Sequence, residues 1–231
     1  MGGRDGPGSR RRYDHRDEEE ISNFDRRGRE LMYRLLGSPR TRAIRVLWML
    51  EELGVDYEIE PIKPGSEAAL AVNPSGKLPA LDIGGEVIID SVAICQYLAD
   101  VHGKLTYPTG TIGRARQDSW TCFALDELDA ILWSFAKHSF VLPEALQSAT
   151  AREACRHEFE KAMAVFGKRL GTQTYVMGDD FTVPDIILGH CAGWAKNGPG
   201  WPIPEGPVLD YVNRVRSRPA CLRALDIREQ Y

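Results

Sequence analysis

The stretch Asn73-Pro74-Ser75-Gly76-Lys77-Leu78-Pro79-Ala80-Leu81, followed by Asp90-Ser91, decides how this chain is read. It joins a polar turn to a short strand that starts at a proline, then to a second strand and a helix entrance. Proline has no N–H for a sheet ladder, so Pro79 marks a strand start or a bend. An X-Pro bond can be cis, and a cis bond here turns the preceding backbone outward. Leu78 then offers its N–H and C=O to a ligand instead of a neighbouring strand. The combination makes a binding edge for a small peptide-like ligand.

Around this stretch the pattern is β-α-β-α-β-β-α. Residues 32–36 read as a strand. Residues 40–53 carry Ala43, Val46, Leu47, Leu50 and Leu53 at helical spacing, and Gly54 ends that helix. A second strand covers 55–62 and a short helix 67–72. Residues 78–83 and 86–89 pair about Gly84-Gly85 as a hairpin. Helical spacing returns over 91–101. The first β-α-β unit implies parallel strands joined by a helical crossover, and the hairpin adds an antiparallel edge.

After a linker at 104–111 the chain becomes helix after helix. A long helix carries Trp120, Phe123, Ala124, Leu128, Ile131 and Phe135. Others cover 151–170, 207–216 and 219–226, and one starts at Thr182. There Thr182 is the N-cap and Asp185 stands at N3, as in a capping box. Phe181 and Ile186 flank it as a hydrophobic staple, and Pro184 sits in the first turn. The fold class is α/β plus all-α. The divisions are a tail at 1–30, an α/β domain at 31–103, the linker at 104–111 and an all-helical domain at 112–231.

Composition excludes several function classes. The 231 residues are 43% hydrophobic and 27% charged, with a net charge of −4. That balance gives no basic footprint for nucleic acid. No apolar run approaches the roughly 20 residues needed to span a membrane, and the first thirty residues hold no apolar signal region. The five cysteines contain no C-x-x-C, which fits reduced thiols in the cytoplasm. His102, His138, His157 and His190 show no ligand spacing, so no metal site is expected. Residues 1–30 mix glycine, arginine and acids with few apolar groups, and are expected to be disordered. Met32, just before the first strand, leaves open whether residues 1–31 belong to the native protein.

Four motifs stand in order: Ser38-Pro39 after the first strand, Asn73 through Pro79, Asp90-Ser91, and Thr182 through Asp185. With these, the chain from Met32 onward resembles the serine-type, bacterial-like cytosolic glutathione transferases. The resemblance implies a thioredoxin-like domain followed by an all-helical one. It implies glutathione as co-substrate with no separate cofactor, a small hydrophobic electrophile as second substrate, a homodimer, and a detoxifying role in the cytoplasm. Carried over by position, Leu78 would pair its backbone with the cysteinyl amide of glutathione, and Pro79 would be cis. Asp90 and Ser91 would hold the γ-glutamyl end, and Lys77 would meet the glycyl carboxylate. Ser38 stands where serine-type members place the residue that supports the thiolate. Many relatives carry glutamate at the Asp90 position, so the reach there is shorter.

Physical chemistry bears on each assignment. A helix starting at Ser91 presents free N–H groups and a positive dipole end to a carboxylate. Asp90 adds an acceptor for an ammonium. Ser38 before Pro39 also fits a plain helix cap. The functional reading asks its hydroxyl to donate to a thiolate. Lowering a thiol pKa of about 8.5 by two units takes about 2.7 kcal/mol. A hydrogen bond to a charged group gives roughly 1.5–3 kcal/mol and a helix N-terminus about 0.3–1. Thr41 is the rival hydroxyl, and Arg40 could act by charge. Arg42 and Arg45 read as solvated or paired, and Glu127 and Asp129 as a solvated face. Trp120, Phe123 and Trp133 line either a substrate pocket or a core. Other readings are a glutathione-dependent disulfide reductase, an isomerase, and a non-catalytic interaction module of the same fold. The lack of cysteine before Cys95 weighs against the reductase.

Overall fold

The computed structural model describes residues 32–231, so the expected tail lies outside the described residues. Four strands form one sheet: β1 (Tyr33–Leu36), β2 (Tyr57–Glu60), β3 (Ala80–Ile83) and β4 (Glu86–Ile89). Their order is β2-β1-β3-β4. β1 runs parallel to β2 and antiparallel to β3, and β3 is antiparallel to β4. The apolar β1 is therefore central. The acid-alternating β2 and the more exposed β4 form the edges.

Helix α1 (Ala43–Leu53) crosses between β1 and β2. Nearly all its residues are buried, because it packs on the sheet side and also against three helices further along the chain. Gly54 ends it in the left-handed region at φ 68°, with its N–H on the Leu50 carbonyl. The short α2 (Glu67–Val72) is capped by the Ser66 hydroxyl, and α3 (Ser91–His102) follows the hairpin. Several expected boundaries shift, two of them beside the site. The first helix begins at Ala43 rather than 40, because residues 39–42 form turns. β3 begins at Ala80, two residues after the expected start, which leaves Leu78 off the ladder.

The remaining elements are helical: α4 (Ile112–Phe123), α5 (Ala130–Ala136), α6 (Ala149–Leu170), α7 (Val183–Asn197), α8 (Pro207–Arg216) and α9 (Pro219–Arg228). The expected long helix carrying Trp120 through Phe135 is instead α4 and α5 joined by a π-helical stretch at Ala124–Asp129. A second π-helical stretch follows at Lys137–Val141. Trp120 and Phe123 belong to the core. Both rings pack on Phe166, and the Arg169 guanidinium lies 3.8 Å over Trp120.

Helix α7 is the buried axis of this half, and its capping box is present. The Asp185 carboxylate accepts from the Thr182 N–H (2.8 Å), the Val176 N–H (3.1 Å) and the Tyr211 hydroxyl (2.8 Å). Burial pushes this carboxyl up to about 6, against the pull of those donors. The box thus ties α8, through Tyr211, to the start of α7.

Candidate functional site

The Leu78–Pro79 bond is cis. The ladder between β1 and β3 starts at Ala80, and among the described residues neither the Leu78 N–H nor its C=O makes a backbone hydrogen bond. Asn73, itself buried, builds the loop that presents this edge. Its amide donates to the Lys77 carbonyl at 2.8 Å, and its oxygen accepts from the Ser75 N–H and hydroxyl. Gly37, at the end of β1, braces Leu78 from the other side. Its φ of 123° suits glycine, and an added Cβ would stand 3.1 Å from the Leu78 Cβ.

Asp90 and Ser91 each hold protein partners at the start of α3. Asp90 is the N-cap of α3: its Oδ1 accepts from the N–H groups of Val92 (2.9 Å) and Ala93 (3.3 Å). It holds φ 75° and ψ 123°, a conformation that typically costs about 1–3 kcal/mol in a non-glycine residue. Such outliers gather at ligand sites, where the surroundings enforce them. Ser91 is only 4% exposed, and its hydroxyl accepts from Arg45 Nη1 at 3.2 Å.

A cavity of about 650 Å³ runs along this edge. Lys77, Leu78, Pro79, Asp90 and Ser91, all expected at the site, line it together. Leu125, Asp129 and Trp133 of the helical half close it. Ser38 is absent from its lining, whereas Thr41 is present. The Ser38 Oγ accepts from the Arg40 N–H at 3.2 Å. The Thr41 hydroxyl donates to the Ser38 carbonyl at 2.8 Å.

The residue that sequence reasoning missed is Asp129. It was expected on a solvated face, yet it takes a two-pronged grip from Arg42, at 3.1 and 2.9 Å, and an ion pair with Arg45. Arg45 is 1% exposed. Its other N–H groups reach Ser91 and His190 Nδ1 (3.1 Å). Burial alone would raise the Asp129 carboxyl. The Arg45 charge, with the bonds and charge of Arg42, overrides that and holds it below the ordinary value. Burial, with Arg45 and Arg42 alongside, holds the His190 imidazole well below its ordinary value, so it is neutral. One network therefore runs from the N-terminus of α3 through α1 to the π-helical stretch and α7. The signal in the sequence was an arginine, Arg45, set among apolar residues on α1, which requires a carboxylate partner.

Asp129, His190 and Cys191 offer ligand atoms within 4.8 Å of one another. They suit a cation poorly, since the Asp129 oxygens and His190 Nδ1 already accept arginine N–H groups and burial pushes the Cys191 thiol up to about 12. A second cavity of about 450 Å³ shares Thr41, Arg42 and Trp133 with the first. Arg42 forms the partition, with its guanidinium over the rings of Trp133 (5.1 Å) and Trp194 (4.8 Å).

Comparison with known proteins points to one family. The family model for the glutathione S-transferase N-terminal domain matches residues 41–101, and that for the C-terminal domain matches 130–219. Glutathione S-transferase 3 of Zea mays is 29% identical over 201 residues, covering 81% of this chain and 90% of its own. Elongation factor 1-gamma of Prunus avium is 28% identical over 160 residues, covering 66% of this chain and 37% of its own. A theta class glutathione S-transferase from Xanthomonas axonopodis pv. citri, solved with glutathione bound, is 28% identical. Its TM-score is 0.71, and the match covers 83% of this chain and 96% of that one.

Proposed function

The chain belongs to the glutathione S-transferase family, and from that premise we propose that it conjugates the glutathione thiolate to a small hydrophobic electrophile. The observation that carries this reading is the unpaired Leu78 backbone beside the α3 N-terminus on one cavity wall. An extended cysteinyl unit matches it as a strand matches a sheet edge. The γ-glutamyl carboxylate meets the Ser91 N–H and hydroxyl, since Asp90 Oδ1 already caps the Val92 and Ala93 N–H groups, and the other Asp90 oxygen accepts from the ammonium. Lys77 takes the glycyl carboxylate.

The thiol then points toward the turn of Ser38 and Thr41. Thr41 stands on the cavity wall and Ser38 does not, so Thr41 is the donor this reading favours. Its hydroxyl now donates to the Ser38 carbonyl. Turning it to the sulfur gives up a neutral hydrogen bond of about 0.5–1.5 kcal/mol and gains a charged one of about 1.5–3. The exchange favours the thiolate. The thiol proton leaves to solvent, and the thiolate attacks the electrophilic carbon, forming C–S as the leaving group departs with its electron pair. Proximity supplies much of the rate.

The test is an ultraviolet difference titration of bound glutathione against pH, on wild type, Thr41→Ala and Ser38→Ala. A thiolate band well below pH 8.5 that is lost in Thr41→Ala supports this assignment. Loss only in Ser38→Ala returns the role to Ser38. Saturable binding with no band in any of the three refutes conjugation. It would favour a non-catalytic interaction module. A cysteine-based disulfide reductase is disfavoured by Cys95, which is buried in α3 with its thiol pushed up to about 12. A cytoplasmic homodimer in a detoxifying role completes the proposal.

A further inference from the structure

We propose that the 450 Å³ cavity holds the electrophile and selects an aromatic one bearing a carboxylate, which docks on Arg216. The inference rests on the transferase reading above and names its second substrate. Four arginines line this cavity, Arg40, Arg42, Arg216 and Arg228, and among the described residues no aspartate or glutamate lines it. Three of the four have carboxylate partners elsewhere. Arg42 grips Asp129, and Arg228 bonds the exposed Glu229, which Arg40 also approaches at 3.6 Å.

Arg216 has no ion pair among the described residues. Of its five N–H groups, one is matched, by the Gly189 carbonyl at 3.1 Å. Gly193 leaves space for the guanidinium, since an added Cβ there would overlap Arg216 Nη1. The other polar groups nearby cannot offset the charge. His190 is neutral and its Nδ1 already accepts from Arg45, while burial pushes the Cys221 thiol up to about 11. A partly buried, unpaired guanidinium is costly, and a carboxylate matches its fork with two parallel bonds.

The rest of the lining calls for an aromatic ring. Trp48, Trp133 and Trp194 form walls, and Phe140, 74% exposed, stands among the lining residues as an uncovered apolar surface. Thr41, Arg42 and Trp133 belong to both cavities. A ring held by its carboxylate on Arg216 can therefore present its reacting carbon at that shared wall, where the thiol is proposed to lie.

The experiment uses two aryl chlorides, 4-chloro-3-nitrobenzoate and its neutral amide. In each, the thiolate adds at the chlorine-bearing carbon and chloride leaves. The expected result is a KM for the carboxylate at least tenfold below that for the amide in wild type. Arg216→Met should raise the carboxylate KM at least tenfold more than the amide KM, as loss of a charged hydrogen bond requires. Arg216→Lys should restore part of the preference. Equal KM values in wild type, or an equal rise for both compounds in Arg216→Met, would overturn the proposal. Quenching of tryptophan fluorescence reads binding without turnover. If neither compound is conjugated, a carboxylate preference in Kd that disappears in Arg216→Met upholds the anion site and indicts the conjugation reading. Equal Kd values overturn the anion site itself. Should Arg216→Met fail to fold, Arg216→Gln, which can still donate to the Gly189 carbonyl but carries no charge, must weaken carboxylate binding more than amide binding, and an equal effect on both refutes the assignment.

Discussion

Replacing Asp129 with Asn should destabilise the protein by about 3–5 kcal/mol, the usual penalty for stripping one partner from a buried ion pair. The upper part of that range is favoured here because Arg45 is only 1% exposed and Asp129 neutralises Arg42 as well. Asn keeps the shape and one acceptor oxygen, but no longer carries the charge that offsets two guanidinium groups. For a fold of this size, each kcal/mol shifts the melting temperature by about 2–4 °C, so the fall should be about 6–20 °C by calorimetry.

The pH dependence gives a second reading of the same residue. The folded Asp129 pKa is depressed. Its contribution is therefore present above the unfolded value of about 3.9 and lost as pH falls through the folded one. Wild type should lose stability on acidification through that window, and Asp129→Asn should lack this component. The double variant Arg45→Met with Asp129→Leu should recover a large part of the loss, because an apolar pair avoids the desolvation of both charges. A melting temperature for Asp129→Asn within 2 °C of wild type would refute the reasoning. So would a double variant no more stable than the single one.

Two other substitutions test the frame of the site. Tyr211→Phe removes a donor to the buried Asp185 and should cost about 1.5–3 kcal/mol in denaturant unfolding at pH 8. Because the folded Asp185 pKa is raised to about 6, its contribution is complete below about pH 4 and is lost as pH rises through 6. The Tyr211→Phe penalty should accordingly shrink toward a neutral hydrogen bond, about 0.5–1.5 kcal/mol, at pH 4. Gly37→Ala forces a Cβ against Leu78 at a φ of 123° and should raise the Kd for glutathione at least tenfold by calorimetric titration. An unchanged Kd would show that Leu78 does not form the binding edge.

Features whose chemistry is local were legible from sequence. The cis Leu78–Pro79 edge, the Asp90-Ser91 helix entrance and the Thr182–Asp185 box each follow from residue types within a few positions of one another. The strand directions followed from the length of the first crossover and the glycine pair in the hairpin. The choice between hydroxyls at Ser38 and Thr41 was not legible. It turns on where α1 begins, and a start three residues later than the pattern suggested places Thr41 at the cavity wall. The Arg45–Asp129 pair spans 84 residues. No local rule connects two such positions, although an arginine on an apolar face announces that a partner exists.

The π-helical stretch explains why Asp129 was assigned to the wrong face. Counted from the buried Trp120 at about 100° per residue, position 129 falls on the opposite side of a regular α-helix. A turn closed by i→i+5 bonds holds one more residue than an α turn. One such residue within Ala124–Asp129 rotates the succeeding positions by about 100° relative to the α register. Asp129 thereby leaves the solvated side, where Asp126 and Glu127 remain exposed, and turns toward Arg42 and Arg45. The same turn brings Leu125 onto the cavity wall. A break in helical geometry thus supplies the carboxylate that lets an arginine be buried beneath Ser91. The distortion of α4–α5 and the order of the α3 N-terminus are in this sense one electrostatic unit.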